Sequence, residues 1–576
     1  MKITTYETNK VAQDISESIV VNGFSLTIVD GTLTSVKCNG DCEDVLILPD
    51  NVRIIDKVAF EFVRVKEVIL PTGIDRMEDS AFGDSTIEKI DLTNVKFLGC
   101  RAFYRSELKE VVYSKYLTYV PEMCFKNTKL SKFDIPKQVT DLKSYCLANT
   151  NLEKIDLSGV TSLEEGVFSD CYGIKEIILP KTITEIPDVF CRRCCDLEKI
   201  DLSHVKKIGT GAFSGCSKLN AGSLSAKIGS IAFAGTAVKH LEIKNVAKLG
   251  EGAYQGCTHL ESVTINGKGT IPSGLFLGCK NLKNITIGEG ITTIGDSAFA
   301  ETAVENIVLP STLTMIASKA FKECKELKEI ILNDGLKTIL DLAFYLTKNL
   351  SKISIPDSVK YIGSKCFAYS GIENVKLPEN NDYTEVSWKA FTGCKKLKSV
   401  KLPDSINAIS DYAFNGCTSL QHINLEKIDR IGSSAFAETA LKKITLNATI
   451  IDSWAFAQCE QLKEADLSGI TAVSLRSHLF FNCRNLSKIS LPKNQIILFD
   501  NSCLYCTAIN EIVFDAKRVE VRSQAFGFTK LKKAVVDKSC DNIQLSDYAF
   551  RRADIGEFVI PDFMSTYLNN MIDKII

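Results

Sequence analysis

Twenty-one cysteines and five histidines are the side chains in this sequence best suited to chemistry. Two cysteine spacings have the form of a metal or redox motif: Cys191-x-x-Cys194, with Cys195 beside it, and Cys503-x-x-Cys506. A thiolate pair can take two corners of a tetrahedral zinc site, but a second pair or a histidine must close it. Nothing in the sequence supplies that closure, because His204, His240, His259, His422 and His478 are scattered along the chain. HExxH, GxSxG and GxxxxGK[ST] are all missing, so there is no metalloprotease helix, nucleophile elbow or phosphate loop. Gly267–Gly269 and Gly288–Gly290 read as turns. With no converging acid, base, nucleophile or metal set, the sequence predicts a protein without catalytic residues, metal or cofactor.

Position explains most of the cysteines. Cys171, Cys194, Cys216, Cys257, Cys279, Cys324, Cys394, Cys417, Cys459, Cys483 and Cys506 each stand three residues before an apolar residue, in a column that elsewhere holds Thr302, Thr347 or Thr439. Cys124, Cys146, Cys366 and Cys503 occupy a slot otherwise given to alanine. A column shared by Cys and Thr asks for a small interior side chain that can make a weak hydrogen bond, and neither a disulfide nor a metal accepts threonine. Reduced, buried thiols are expected there, with the oxidation of neighbours such as Cys394 and Cys417 left open. Cys38 and Cys42 lie outside the columns and are expected to be the most exposed and reactive pair.

The columns belong to a repeat, seen most clearly in Leu327–Leu350. Leu327, Ile330 and Leu332 are followed by Leu336 and Ile339, then by Ala343–Phe344, Thr347 and the Leu350 that restarts the cycle. The anchor aromatic recurs every 20–24 residues from Phe60 to Phe550, with Tyr254 in the series and Leu147 and Leu504 filling two gaps. A period that short predicts a mostly β repeat solenoid of about 23 coils, curved or superhelical, in which no coil folds alone. One flavour of coil ends its first strand in proline (Pro310, Pro356, Pro403); another reads KIDL followed by Ser or Thr, as at Lys89–Thr93. The Ala-Phe segment turns the coil back across its outer side, with a short helical turn as one option.

Residues 1–44 are expected to cap the array, since Phe24–Val29 and Thr32–Lys37 flank Asp30–Gly31, a tight-turn dipeptide. Coils then run without a linker over residues 45–560. Residues 561–576 carry Met564, Leu568, Met571, Ile572 and Ile575 at helical spacing, which predicts a capping helix. The first residues lack the apolar core of a secretory signal and no run is long enough to span a bilayer, so the sequence taken by itself reads as cytoplasmic. Lys plus Arg number 69 and Asp plus Glu 70, so no bulk attraction to nucleic acid or membrane insertion is expected; composition sets no oligomeric state. Asn284, Asn349, Asn447 and Asn485 begin glycosylation tripeptides that matter only if the protein is secreted.

Period-two alternation places the middle residue of each first strand inside and its neighbours on an open face. In the first half, Lys89/Asp91, Lys132/Asp134, Lys154/Asp156 and Lys199/Asp201 read as cross-strand ion pairs. From Ser354 to Lys443 the outward rows carry Lys without matching acids. That strip, with exposed apolar neighbours, is the candidate partner-binding face: Val308, Ile331, Lys352, Lys376, Lys401, His422 and Lys443.

The run Leu-x-x-Ile-x-Leu-Pro-x-x-Leu-x-x-Ile…Ala-Phe-x-x-Cys-x-x-Leu, clean at Ile174–Phe190, Val304–Leu327 and Leu397–Leu420, resembles the BspA-like branch of leucine-rich repeats. The resemblance implies a non-enzymatic surface protein of mucosal bacteria or protist parasites that adheres to host matrix or cell-surface proteins. It would reach the surface by a non-classical route. An intracellular scaffold using the same face is the alternative.

Overall fold

The alternation along each first strand becomes a burial pattern. In Glu329–Ile331 the central Ile330 is buried and both neighbours are exposed, and Lys89–Asp91, Lys154–Asp156, Asn306–Val308, Lys352–Ser354 and Ser399–Lys401 repeat it. The computed structural model describes residues 16–471, 474–493 and 496–565. Its contacts divide the chain into two units, Met1–Ser262 with Gly278–Lys280 and Val263–Leu277 with Asn281–Ile576. Each unit is a β-solenoid of parallel coils, and the only helical elements among the described residues are the 3-10 turns Val246–Lys248 and Asp562–Met564.

Three ladders join neighbouring coils. On the open face, first strands pair in register, as in Asn374↔Ser399 and Lys376↔Lys401. A second ladder is made of shorter strands, such as Met315–Ile316, Thr338–Ile339 and Tyr361–Ile362. Between the two, a turn closes with the same bond in both flavours of coil: Val359 N–H to Pro356 O at 3.0 Å, and Val95 N–H to Leu92 O at 2.9 Å. Proline sets φ in one flavour. In the other, Asp91 Oδ1 accepts from the Thr93 amide at 2.8 Å and from its hydroxyl at 2.5 Å.

The third ladder runs past the anchor aromatics and is not helical. Two residues before and two after the anchor, the backbone is left-handed: Leu342 (φ 59°) and Leu346 (φ 60°) flank Phe344, and Lys319 and Glu323 flank Phe321. Glycine takes both positions around Phe213, at Gly211 and Gly215. This alternation turns successive N–H groups the same way, so the amides of residues 342, 344 and 346 all donate to carbonyls of the next coil, Ser364, Cys366 and Ala368, at 2.9, 2.8 and 3.0 Å. Inside it the rings stack: Phe344 lies 5.5 Å from Phe321 and 5.4 Å from Phe367, each at 1°.

At the start, Ser16–Val21, Phe24–Val29 and Thr32–Cys38 form an antiparallel meander, turned at Asp30 (φ 48°) and Gly31 (φ 74°). Thr32–Cys38 then pairs in parallel with Ile54–Ile55, the first strand of the second ladder. At the other end the expected helix over 561–576 lies mostly outside the described residues, which stop at Ser565 just after Asp562–Met564.

Because Phe344 is fully buried between two other rings, Phe344→Ala should lower stability by about 3–5 kcal/mol in a denaturant titration. Val58→Gly should change it by less than about 1 kcal/mol, because relief of a left-handed β-branched residue (φ 53°) offsets the added freedom of the unfolded chain.

Candidate functional site

The cysteine column is built into the fold by its carbonyls. Each thiol points inward and donates to the anchor-region carbonyl of the preceding coil: Cys324 to Phe299 O at 3.0 Å, Cys394 to Phe367 O at 3.0 Å, Cys417 to Phe391 O at 3.1 Å. A threonine in the column donates to the anchor carbonyl of its own coil instead, so one carbonyl can serve both: Thr302 to Phe299 O at 2.9 Å and Thr347 to Phe344 O at 2.8 Å. Burial pushes the Cys171 thiol up to about 12 and those of Cys324 and Cys394 up to about 11, which keeps them protonated as donors. Among the described residues no three His, Cys, Asp or Glu side chains are placed to hold a metal.

Cys38 and Cys42 differ from the expectation of a reactive pair, because they are joined in a disulfide with Cα atoms 5.9 Å apart. The hairpin brings them together, with Asn39 N–H bonded to Gly23 O and Glu43 N–H to Asn22 O on either side. The remaining nineteen cysteines are free, and of these only Cys100 and Cys195 are not buried.

On the open face of the second unit, all seven candidate residues point outward, but they fall on three separately bonded sheets. Val308 and Ile331 are direct neighbours in Asn306–Val308 and Glu329–Ile331, and are 64% and 51% exposed. Lys352, Lys376, Lys401 and His422 share the next sheet, where Lys376 and Lys401 are register partners. Lys443 begins a third. No ladder bond joins Glu329–Ile331 to Lys352–Ser354, although the second ladder (Thr338↔Tyr361) and the anchor ladder continue through those same coils. The parting leaves a groove of about 590 Å³ whose walls include Ile331, Lys352, Ser354 and Lys376. The sequence carries no signal for that groove, since both coils match the repeat.

The charges on this face differ from the sequence expectation. Lys376 Nζ lies 3.5 Å from Asp357, in the turn after the preceding strand, and Lys443 shares Glu464 with Lys488 at 3.2 and 2.9 Å. Those two lysines hold the Glu464 carboxyl below the usual carboxylate range. Lys352 and Lys401 form no ion pair with a described residue, and together they carry the uncompensated charge. In the first unit, only Lys132 and Asp134 pair as expected, at 2.7 Å. Lys89 instead reaches Glu67 at 3.3 Å and Lys154 reaches Glu176 at 2.9 Å. Asp156 and Asp201 are taken by Ser158 and Ser203 in their own turns, and those hydrogen bonds hold both carboxyls low.

Trp388 and Trp454 sit on the outer side, near the anchor ladder. Lys365 and Lys389 lie 4.8 and 4.5 Å from the Trp388 ring, and Trp454 stacks on His478 at 4.1 Å. Both ring systems are occupied by packing within the protein.

Parallel coils with an inward L-x-x-I-x-L strand, a short second strand and a stacked anchor aromatic define a leucine-rich-repeat solenoid. The chain belongs to the BspA type leucine rich repeat family, whose six-copy region matches residues 39–150, 96–220, 141–261, 189–303, 292–388, 337–463 and 430–556. A search of curated proteins returns no match. Among solved structures, the chain is similar to a leucine-rich repeat protein from Eubacterium ventriosum (21% identity, 64% of this chain and 99% of that one, TM-score 0.37). It is also similar to one from Bacteroides ovatus (18%, 80% and 94%, TM-score 0.30). A leucine rich cell surface protein from Faecalibacterium prausnitzii matches at 18% identity over 82% of this chain and 94% of that one, with TM-score 0.28.

Thiol titration tests the interior. The native protein should react rapidly at Cys100 and Cys195 only; denaturation without reductant should release nineteen thiols and added reductant all twenty-one. Rapid labelling of Cys394 or Cys417 in the native state would show that the column is not closed.

Proposed function

We propose that this protein is a non-catalytic binding protein that engages a protein partner through the open strand face of its second unit, as an adhesin of the BspA type does. Matrix or cell-surface proteins are the partner class. The observation that carries this reading is the exposed Val308–Ile331 pair near Lys352 and Lys401, which form no ion pair with a described residue, along a parted ladder. Apolar surface flanked by uncompensated charge suits an acidic partner with an apolar centre, with the charges steering approach. Support also comes from the backbone itself: the coils displaying these residues are held by an unbroken anchor ladder behind them, so the face is preorganised.

A second reading is an intracellular scaffold using the same face, and the seventeen buried free thiols favour it because they suit a reducing compartment. Membrane-impermeant labelling of intact source cells separates the two. Labelled protein supports the adhesin, and its absence from the labelled fraction supports the scaffold.

The face is tested by immobilising extracellular matrix preparations and intact cells and measuring capture of the full chain. Lys376→Glu/Lys401→Glu should reduce capture about tenfold or more, since two reversed charges at a rim of this kind cost of order 1 kcal/mol or more in total. Capture should also weaken with added salt. Equal capture of the wild type and the double variant would overturn this assignment of the face.

A further inference from the structure

One coil of the first unit breaks the repeat at its interior. Phe213 to Phe233 spans 20 residues, against 22 from Cys191, which stands at the preceding coil's anchor position between left-handed Val189 and Arg193, to Phe213. The preceding coil points Ile200 and Val205 inward; the equivalent places here, three residues after Leu219 and three before Ile228, hold Gly222 and Ser225. Gly222 is left-handed (φ +62°), and a Cβ added there would meet nothing within 4 Å. Residues 219–226 form no strand, so the open face lacks a rung between Lys199–Ile200 and His240–Ile243.

The two missing branched side chains leave a pocket of about 260 Å³. Its floor is apolar, formed by Ile228, Leu241, Ile243 and Leu249. At its mouth stand Glu242, Lys244 and Lys248. Neither lysine forms an ion pair with a described residue; Lys248 Nζ donates only to the Ser225 carbonyl, at 3.1 Å. Tyr254, the single tyrosine among the anchor aromatics, also lines the pocket and places a phenol where every other aromatic anchor is phenylalanine.

We infer that this pocket is a binding site for a small carboxylate with a compact apolar body, the body on the Ile228–Leu241–Ile243 floor and the carboxylate at Lys244 and Lys248. Size supports this class: an apolar cavity of about 150 Å³ holds a benzene ring, and drug-sized ligands need about 300–1,000 Å³, so 260 Å³ suits an arylalkyl or branched-chain acid. An apolar floor offers ordered water few partners, which favours its displacement. Two lysines against one glutamate select an anionic head over a neutral or cationic one.

The test uses the full chain and 3-phenylpropionate, followed by calorimetry and ligand-detected NMR, with neutral 3-phenylpropanamide as the matched control. The acid should bind saturably with a Kd below about 1 mM, and the amide about tenfold more weakly. Ala226→Leu, which fills the pocket from its buried wall, should abolish binding. Lys244→Gln/Lys248→Gln changes only exposed side chains, so it decides the matter even if Ala226→Leu fails to fold; it should weaken the acid to the level of the amide. No saturable binding up to about 10 mM acid, equal affinity for acid and amide, or binding untouched by the lysine pair would each overturn the proposal.

Discussion

Every coil in this protein leaves backbone groups that only another coil can satisfy, and the rest of the structure follows from meeting that demand. On the anchor side, alternate amides point the same way along the stack, and each finds a carbonyl in the next coil. Holding the backbone in that shape requires two left-handed residues per coil, which costs L-residues about 1–2 kcal/mol apiece. Three hydrogen bonds per coil, at about 1 kcal/mol each, and the packing of buried rings between neighbouring coils offset that cost. The offset exists only while the coils are stacked.

The same demand accounts for the cysteines. A carbonyl oxygen has two lone pairs, and the carbonyls beside the anchors use both sides of the stack. Leu147 O accepts from Thr150 of its own coil at 2.9 Å and from Cys171 of the next at 3.1 Å. A hydroxyl and a thiol are therefore different solutions within one column, the first closing a coil on itself and the second tying it to its predecessor. Zinc or disulfide chemistry would compete for these sulfurs, whereas here their task is to donate one weak hydrogen bond from inside the core.

An interior settled this uniformly leaves the outward residues free to vary, which is where a repeat protein of this family can acquire specificity. The outward row changes character from coil to coil, from Ile47 and Ile69 through Asp156 and Ile178 to Val308, Ile331, Lys376 and Lys401, while the middle residue of each of these strands stays apolar. Irregularity in the interior is correspondingly rare, and where Gly222 and Ser225 interrupt it the surface opens into a pocket. The open-face ladder parts beside Lys352, as it does at several other coils, without any lapse in the motif there.

What the sequence determined by itself is periodic and local: the repeat length, the anchors, the inward positions, the small column, and the tight turn at Asp30–Gly31. Each shows as a spacing within one coil, and one coil's spacing is visible in the chain. Tertiary structure alone decided which atoms of neighbouring coils meet. It gave Asp156 to Ser158 rather than to Lys154, brought Asp357 to Lys376, closed Cys38 on Cys42, and set two left-handed residues around anchors such as Phe344 where a helical turn was the option. Those outcomes hang on contacts between stacked coils and on bends in the backbone. A side chain chooses among partners by differences of an ångström or so, which a pattern of residue types does not encode.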